Sequence, residues 1–190
     1  MSKLNHQLII ANATELFAIG GLAQFSMRNL AKKLEVAPSV IYHHFTDENA
    51  LLRSMFEVNS KDLGVKRKLL PTVKTTSALL KQRINFQIDN SLQVVTILKY
   101  YLAFRKDFAK TMSGFVPDSA SLHMEEVLDF ARKKRVYNAA NLKDDAKVMT
   151  HAVNGYILEY YPYVLKPNEK RKLVDQIFNF LYKGIKGGKA

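Results

Sequence analysis

A cluster of polar side chains suited to contacting nucleic acid lies between residues 39 and 44. Its members are Ser39, Tyr42, His43 and His44, and Arg28 lies shortly before them. Hydroxyl, imidazole and guanidinium groups donate hydrogen bonds to phosphate oxygens and to the edges of bases. The residue types therefore favour DNA binding, although such side chains also occur on ordinary protein surfaces.

Two short apolar-periodic segments position these side chains. Residues 27–34 and 38–45 each gather their apolar side chains on one helical face, with a break of about three residues between them. Ser26 can cap the first helix with its hydroxyl, and Pro38 suits the first position of the second because its φ is fixed. The arrangement predicts a helix-turn-helix, whose second helix enters the DNA major groove.

Longer amphipathic segments flank the two short helices. Before them, apolar residues repeat at helical spacing over 8–17, and Gly20-Gly21 is expected to end that helix. After them, Thr46 is expected to cap a helix over 47–63 whose buried face includes Val58. The N-terminal region is therefore predicted to be a three-helix head with an exit helix.

The rest of the chain has the pattern of helices without strands. Pro71 marks a boundary, and further helices are predicted over 119–135 and 144–161. The last predicted helix is the most regular, because its apolar residues repeat at 3.6-residue spacing from Leu173 to Ile185. The whole pattern predicts an all-α protein of about nine helices.

Composition limits the classes of function. The chain has 190 residues, no cysteine and a formal net charge of +12. The lack of cysteine excludes disulfides and thiolate chemistry and fits a reducing cytoplasm. No apolar run approaches the roughly 18 residues that a membrane span needs, so no membrane partner is expected. In the first 50 residues, four Lys or Arg balance four Asp or Glu, so the motif rather than the charge predicts DNA binding.

Catalytic motifs are missing from the sequence. It contains no nucleophile elbow, glycine-rich phosphate loop or zinc motif. The acidic pairs Glu125-Glu126 and Asp144-Asp145 are of a kind common on solvated helices, and His123 and His151 lack a carboxylate at metal-binding spacing. We therefore expect no enzyme activity, no cofactor and no metal.

Residues 8–56 resemble the N-terminal head of the TetR family of bacterial transcriptional regulators. The matching positions include Ala13, Ser26, Arg28, the Ile41-Tyr42-His43-His44-Phe45 run and Ala50-Leu51-Leu52. In that family the second short helix inserts into the major groove. The resemblance therefore implies DNA contacts by the following residues: Ser26, Arg28, Pro38, Ser39, Tyr42, His43 and His44.

Two residues depart from the family pattern. Glu35 occupies a turn position where the family usually has glycine, and a positive φ there would cost on the order of 1 kcal/mol. Glu48 stands where the family often places a lysine on a phosphate, so one usual anchor to the DNA backbone is missing. Neither departure removes the motif.

The resemblance also divides the chain by function. It implies a helix-turn-helix domain over 1–46, a connecting helix over 47–65, and a helical ligand-binding and dimerisation domain over 66–190. The last two helices, rich in tyrosine and phenylalanine, would pair in a homodimer that holds two recognition helices about 34–36 Å apart on a palindromic operator. Alternatively, these aromatic residues fill the core of a monomer.

A cavity for a small hydrophobic or aromatic effector is a further implication of the resemblance. Its expected lining consists of Phe86, Leu98, Tyr101, Phe104, Met124, Val127 and Tyr156. The favoured interpretation is a cytoplasmic repressor that such an effector, of unknown identity, releases from double-stranded DNA. A DNA-binding or protein-interaction protein without a ligand switch would have the same head and remains an alternative.

Overall fold

The computed structural model describes residues 5–106, 108, 122–138, 141–163 and 165–187. These residues form helices and no strands, which confirms the all-α prediction, and none of their helices is long and apolar enough to cross a membrane. The described helices are α1 (His6–Gln24), α2 (Met27–Lys33), α3 (Pro38–Tyr42), α4 (Glu48–Lys68), α5 (Thr76–Asp89), α6 (Ser91–Phe104), α7 (Leu122–Lys133), α8 (Leu142–Tyr160) and α9 (Pro167–Gly187).

Side-chain caps determine where α1, α2 and α4 begin. The side chains of Asn5, Ser26 and Asp47 each accept a hydrogen bond from the backbone N–H three residues later, at 2.9, 3.0 and 2.7 Å. The predicted Ser26 cap is confirmed. The prediction for Thr46 is wrong: Asp47 caps α4, since its carboxylate is a charged acceptor at the positive end of the helix.

Helix α1 is interrupted near its end by Gly21, whose φ of 60° and ψ of −161° are not helical. Only glycine adopts this backbone region readily, so the continuous helical backbone ends at Gly21, as predicted, and a short helical segment follows to Gln24. Lys99 of α6 donates to the carbonyls of Ala18 at 2.6 Å and Ile19 at 2.9 Å, just before the break. The lysine thus satisfies carbonyl groups at a helix end that attracts cations.

Other predicted boundaries shift by a few residues. Helix α2 ends at Lys33 and α3 at Tyr42, earlier than predicted, whereas α4 extends to Lys68. Val58 is exposed rather than buried, because Asn59 takes the inward position on that turn of α4. Helix α7 ends two residues before its predicted end, and the predicted residues 119–121 lie outside the described residues. Helix α8 begins two residues before its predicted start and ends one residue before its predicted end.

Helices α1 to α4 and α6 belong to one compact unit, which comprises Met1–Leu69 and Asn90–Thr111. Within it, α1 packs against α2, α4 and α6. Tyr100 of α6 lies against Phe56 of α4, with ring centroids 4.6 Å apart. The fully buried large side chains of this unit are Ile9, Phe17, Leu30, Ile41, Leu51, Leu52, Met55 and Phe56.

A buried polar network joins three helices of this first unit. Asn59 of α4 donates through Nδ2 to Thr14 Oγ1 of α1 at 2.9 Å. Thr96 of α6 donates its hydroxyl proton to Leu92 O of its own helix at 2.8 Å, and its Oγ1 lies 3.4 Å from the Thr14 carbonyl oxygen. All three side chains are buried. Because buried polar groups without partners are costly, the bond between Asn59 and Thr14 favours one pairing of α4 with α1, and Thr96 places a polar atom of α6 beside the same residue.

The second compact unit comprises Leu70–Asp89 and Met112–Ala190. Helix α5 packs against α7, α8 and α9, and α7 packs against α8. The buried Tyr137 hydroxyl donates to Asp145 Oδ2, and burial together with that carboxylate raises the pKa of Tyr137. The core of this unit includes Leu80, Ile84, Met124, Val127, Leu128, Val153, Ile157, Ile177 and Leu181.

The division into compact units is not the same as the division by function. Helix α6 groups with the N-terminal helices, although the sequence interpretation assigns it to the ligand-binding domain over 66–190. The functional domains stay a prediction.

Candidate nucleic-acid interface

The turn between α2 and α3 is closed by two backbone hydrogen bonds. Glu35 N donates to Lys32 O at 3.2 Å, and Val36 N donates to Ala31 O at 3.0 Å. This pair of bonds is a Schellman motif, which places one residue in the left-handed region. Glu35 occupies that position with a φ of 55°, so the backbone strain considered from the sequence is present.

Helix α3 presents a polar edge to solvent. Pro38 begins the helix, as predicted, and Ile41 is its fully buried anchor. Ser39 and His43 are exposed, and Tyr42 is 51% exposed. The helix therefore leaves a hydroxyl, an imidazole and a phenol available to a partner while one aliphatic side chain fixes its position.

His44 packs against the first turn of α1. Its ring centroid lies 5.1 Å from that of His6, and the Phe45 ring lies 4.8 Å from His6. His44 is half-buried, whereas His43 is exposed. The contact joins the residues after α3 to α1. No periodicity in the sequence distinguishes His6 as a partner of His44.

Arg28 and Ser26 lie at the start of α2. Arg28 is exposed, whereas Ser26 is half-buried because its hydroxyl oxygen accepts the capping hydrogen bond from Asn29 N. The Ser26 hydroxyl still has a proton to donate. Asn29, also missed from the sequence, donates through Nδ2 to Gln24 O at 2.9 Å and so joins α2 to the end of α1.

Glu48 has a structural role. Its Oε2 accepts from Met27 N at 3.3 Å. Met27 N is one of the first N–H groups of α2, which have no partner inside the helix. Glu48 stands where the family often has a lysine that binds a phosphate. In this chain it connects the first turn of α4 to the first turn of α2 instead.

Few cations of this region are neutralised by neighbours. Lys33 pairs with Glu15 of α1 at 2.9 Å. Arg28 and Lys32 are exposed and form no ion pair with any residue that the structure describes. Phosphate attraction near α3 therefore depends on a small number of positive charges.

The basic clusters further along the chain have acidic partners. Lys66 pairs with Asp62 at 2.7 Å. Lys133 and Arg132 both bond Asp129, and these bonds hold the pKa of the Asp129 carboxyl below its usual range. This is the behaviour of solvated helix faces.

The helix-turn-helix segment matches a known family model. The model for bacterial regulatory proteins of the tetR family matches residues 9–55, which include α1, α2, α3 and the start of α4. Residues 9–55 therefore form the N-terminal domain that this tetR family model describes. The head accordingly has the fold of a DNA-binding transcriptional regulator.

Solved TetR-like structures share the fold at low sequence identity. PfmR from Thermus thermophilus, a TetR family transcriptional regulator, is 18% identical with a TM-score of 0.69, covering 92% of this chain and 97% of that chain. The ketosteroid transcriptional regulator KstR2 of Mycobacterium tuberculosis is 15% identical with a TM-score of 0.66, covering 97% and 96%. A transcriptional regulator from Rhodococcus sp. Rha1 is 14% identical with a TM-score of 0.67, covering 96% and 98%. Among curated protein sequences, none matches the chain.

The residues expected to line an effector cavity fall into both compact units. In the first unit, Leu98, Tyr101 and Phe104 are half-buried on α6. In the second unit, Met124 and Val127 are fully buried on α7. Phe86 of α5 is also buried and Tyr156 of α8 is half-buried. Their role in ligand binding stays a prediction.

Proposed function

We propose that this chain is a homodimeric repressor that binds a palindromic operator and is released from it by a small molecule. The observation that carries the proposal is the exposed polar edge of α3, held on a TetR-family head by buried Ile41. The neighbouring caps and the Glu48 bond hold the start of α2 in place. A rigid support of this kind is what a DNA-reading helix requires.

The proposal gives each exposed residue a role at the DNA. Ser39 and Tyr42 contact base edges or phosphates from α3, and Pro38 leads the helix into the groove. Arg28 binds a phosphate or a guanine, since a guanidinium suits both. His43 donates to a phosphate. Ser26 donates its hydroxyl proton, and half-buried His44 contributes mainly by holding α3 against His6.

Helices α8 and α9 provide the proposed dimer surface. On α8, Val148 is 67% exposed and Leu158 is also exposed. On α9, Phe180 is 68% exposed. A Cβ added at Gly155 or at Gly184 would meet no atom within 4 Å, so both glycines leave room for a partner helix. Apolar side chains beside small residues suit close helix pairing between two copies.

Selection from a library of short duplexes tests DNA binding. Purified protein is incubated with the library at two salt concentrations, and the bound sequences are identified. We expect a palindromic site, with affinity reduced in Arg28→Ala and Tyr42→Ala. The control is Lys61→Ala, which removes an exposed charge about 20 Å along α4 from Glu48. The Arg28 variant should also reduce the slope of log affinity against log salt by about one.

A different outcome would refute the DNA-binding proposal. If binding is weak, independent of sequence and equally affected by all three variants, the basic clusters attract DNA without recognition.

Sedimentation equilibrium tests the dimer. Phe180→Asp places a charge on the proposed surface and should produce a monomer that no longer protects a palindrome. Val65→Asp is the matched control, because Val65 is similarly exposed but lies on α4. A wild-type monomer, or equal effects of the two substitutions, would contradict the proposed surface.

A further inference from the structure

Two side chains on α5 hold buried polar atoms that have no hydrogen-bond partner among the residues that the structure describes. The Arg83 side chain is 12% exposed, and its Nε and Nη1 atoms are buried and unpaired. Gln87 is 6% exposed, and its Oε1 atom is likewise buried and unpaired. Buried polar atoms of folded proteins nearly always have partners, so each exception requires an explanation.

The two side chains lie one helical turn apart, on one face of α5. Arg83 uses only Nη2, which donates to Glu126 Oε2 of α7 at 2.8 Å. Beside them, Phe86 is buried with its ring stacked on His123 of α7, at a centroid distance of 5.8 Å. Met124 and Val127 of α7 are also buried, and α5 packs against α7. The unpaired polar atoms therefore belong to a helix whose neighbour buries apolar side chains.

The chemistry of the unpaired atoms defines what would satisfy them. A guanidinium has only donors, so Nε and Nη1 require acceptors, and an anionic acceptor forms the stronger bond. The Gln87 Oε1 atom is an acceptor and requires a donor. A carboxylate with a hydroxyl nearby supplies both groups in one small molecule.

We propose that Arg83 and Gln87 bind the polar head of the effector, an amphipathic hydroxy acid whose carboxylate contacts Arg83 and whose hydroxyl donates to Gln87. The inference rests on the proposed ligand-responsive function and names the chemistry of its ligand. The ligand carboxylate displaces that of Glu126, whose side chain is about half exposed and can return to water. The apolar body of the ligand packs beside Phe86 and Met124.

This assignment refines the expectation from sequence. The aromatic and aliphatic residues predicted to line the cavity favoured a hydrophobic or aromatic effector. Arg83 adds a cation on the same helix as Phe86, and therefore selects an apolar molecule that carries one negative charge.

Isothermal titration calorimetry of the full chain with decanoic acid derivatives tests the proposal. The probes are hydroxydecanoate with its hydroxyl on the carbon β to the carboxylate, decanoate, and the methyl ester of the hydroxy acid. Wild-type protein should bind the hydroxy acid and discriminate against the ester. Arg83→Gln should weaken binding about tenfold or more, as expected for loss of a charged hydrogen-bond partner. Gln87→Leu should lose more affinity for hydroxydecanoate than for decanoate.

Two further variants sharpen the result. Lys81→Gln removes a half-exposed cation from the same helix and should bind the acid like wild type. Glu126→Gln weakens the internal competitor for Arg83 and should bind the acid more tightly. Equal binding by Arg83→Gln and Lys81→Gln, absence of binding to wild type, or weaker binding by Glu126→Gln would each overturn the proposal.

Thermal unfolding without ligand provides a second readout. Because unpaired buried atoms destabilise the empty protein, Arg83→Met and Gln87→Leu should each raise the melting temperature, by about 2–4 °C. A fall would mean that these atoms are satisfied within the protein, and would overturn the assignment.

Operator selection by wild-type protein separates this inference from the proposed function. If the operator is bound and the acid is not, only the ligand assignment fails. If the acid is bound and no operator is selected, the regulator proposal fails while the binding site stands.

Discussion

Replacing Glu35 with glycine should stabilise the protein. Glu35 holds a φ of 55° because the Schellman motif at the end of α2 requires a left-handed residue there. A residue with a Cβ is strained in this region and glycine is not, so Glu35→Gly relieves the strain while both hydrogen bonds of the motif remain.

The magnitude follows from two opposing contributions. Relief of left-handed strain is worth roughly 1–2 kcal/mol, and the greater freedom of glycine in the unfolded chain takes back about 0.4–1 kcal/mol. The two ranges leave a net gain in the free energy of unfolding of up to about 1.6 kcal/mol, with a central value of about 0.8 kcal/mol. For a chain of this length the melting temperature should rise by about 1–4 °C.

Urea unfolding of Glu35→Gly, Glu35→Gln and wild type measures this gain. The glutamine variant removes the same charge but keeps the strained φ, so it separates strain from electrostatics. The same comparison at Arg135, whose φ is 56° and whose turn has the same two hydrogen bonds, repeats the test in the second unit. A glycine variant no more stable than the glutamine variant would refute the reasoning.

Three further predictions concern residues away from α3. Because the pKa of Tyr137 is raised in the folded protein, the unfolded chain loses the phenol proton at a lower pH than the folded protein does. The free energy of unfolding should therefore fall above about pH 10, and more steeply in wild type than in Tyr137→Phe. Denaturant titration of Asn59→Leu should show a free energy of unfolding lower by about 1–3 kcal/mol. A double-mutant cycle with Thr14→Val should show coupling between the two sites, and purely additive losses would argue against their hydrogen bond. Lys99→Met should lower the free energy of unfolding by about 1 kcal/mol, because the carbonyls of Ala18 and Ile19 lose a cationic donor. Amide hydrogen exchange in that turn of α1 should become faster, and an unchanged rate would contradict the prediction.

The head was largely predictable because its signals are local. Ser26 as a cap and Pro38 as the first residue of α3 depend only on residues a few positions away. The strain at Glu35 was foreseen in a different way, from the resemblance, because the family usually has glycine at that turn position. The cap and the proline follow from backbone chemistry that the sequence displays directly.

The contacts between distant residues were not predictable in the same way. Glu48 bonds Met27 across 21 positions, and His6 meets His44 across a longer interval. No periodicity identifies such partners, because they depend on how α1, α2 and α4 pack. Val58 was misassigned for a related reason: an inward-facing asparagine breaks the rule that the apolar residue is the buried one.

The buried polar network of Thr14, Asn59 and Thr96 restricts the motions available to the first unit. An apolar interface between helices allows gradual sliding. Here a displacement of α4 along α1 by part of a turn would leave one buried N–H of the Asn59 amide without its acceptor, while the amide keeps only its bond to Met55 O within α4. Intermediate positions are therefore disfavoured, and the helices must either stay in register or move to a new set of partners. Any change in the position of α4 that accompanies release from DNA would thus be a step between discrete arrangements rather than a graded drift.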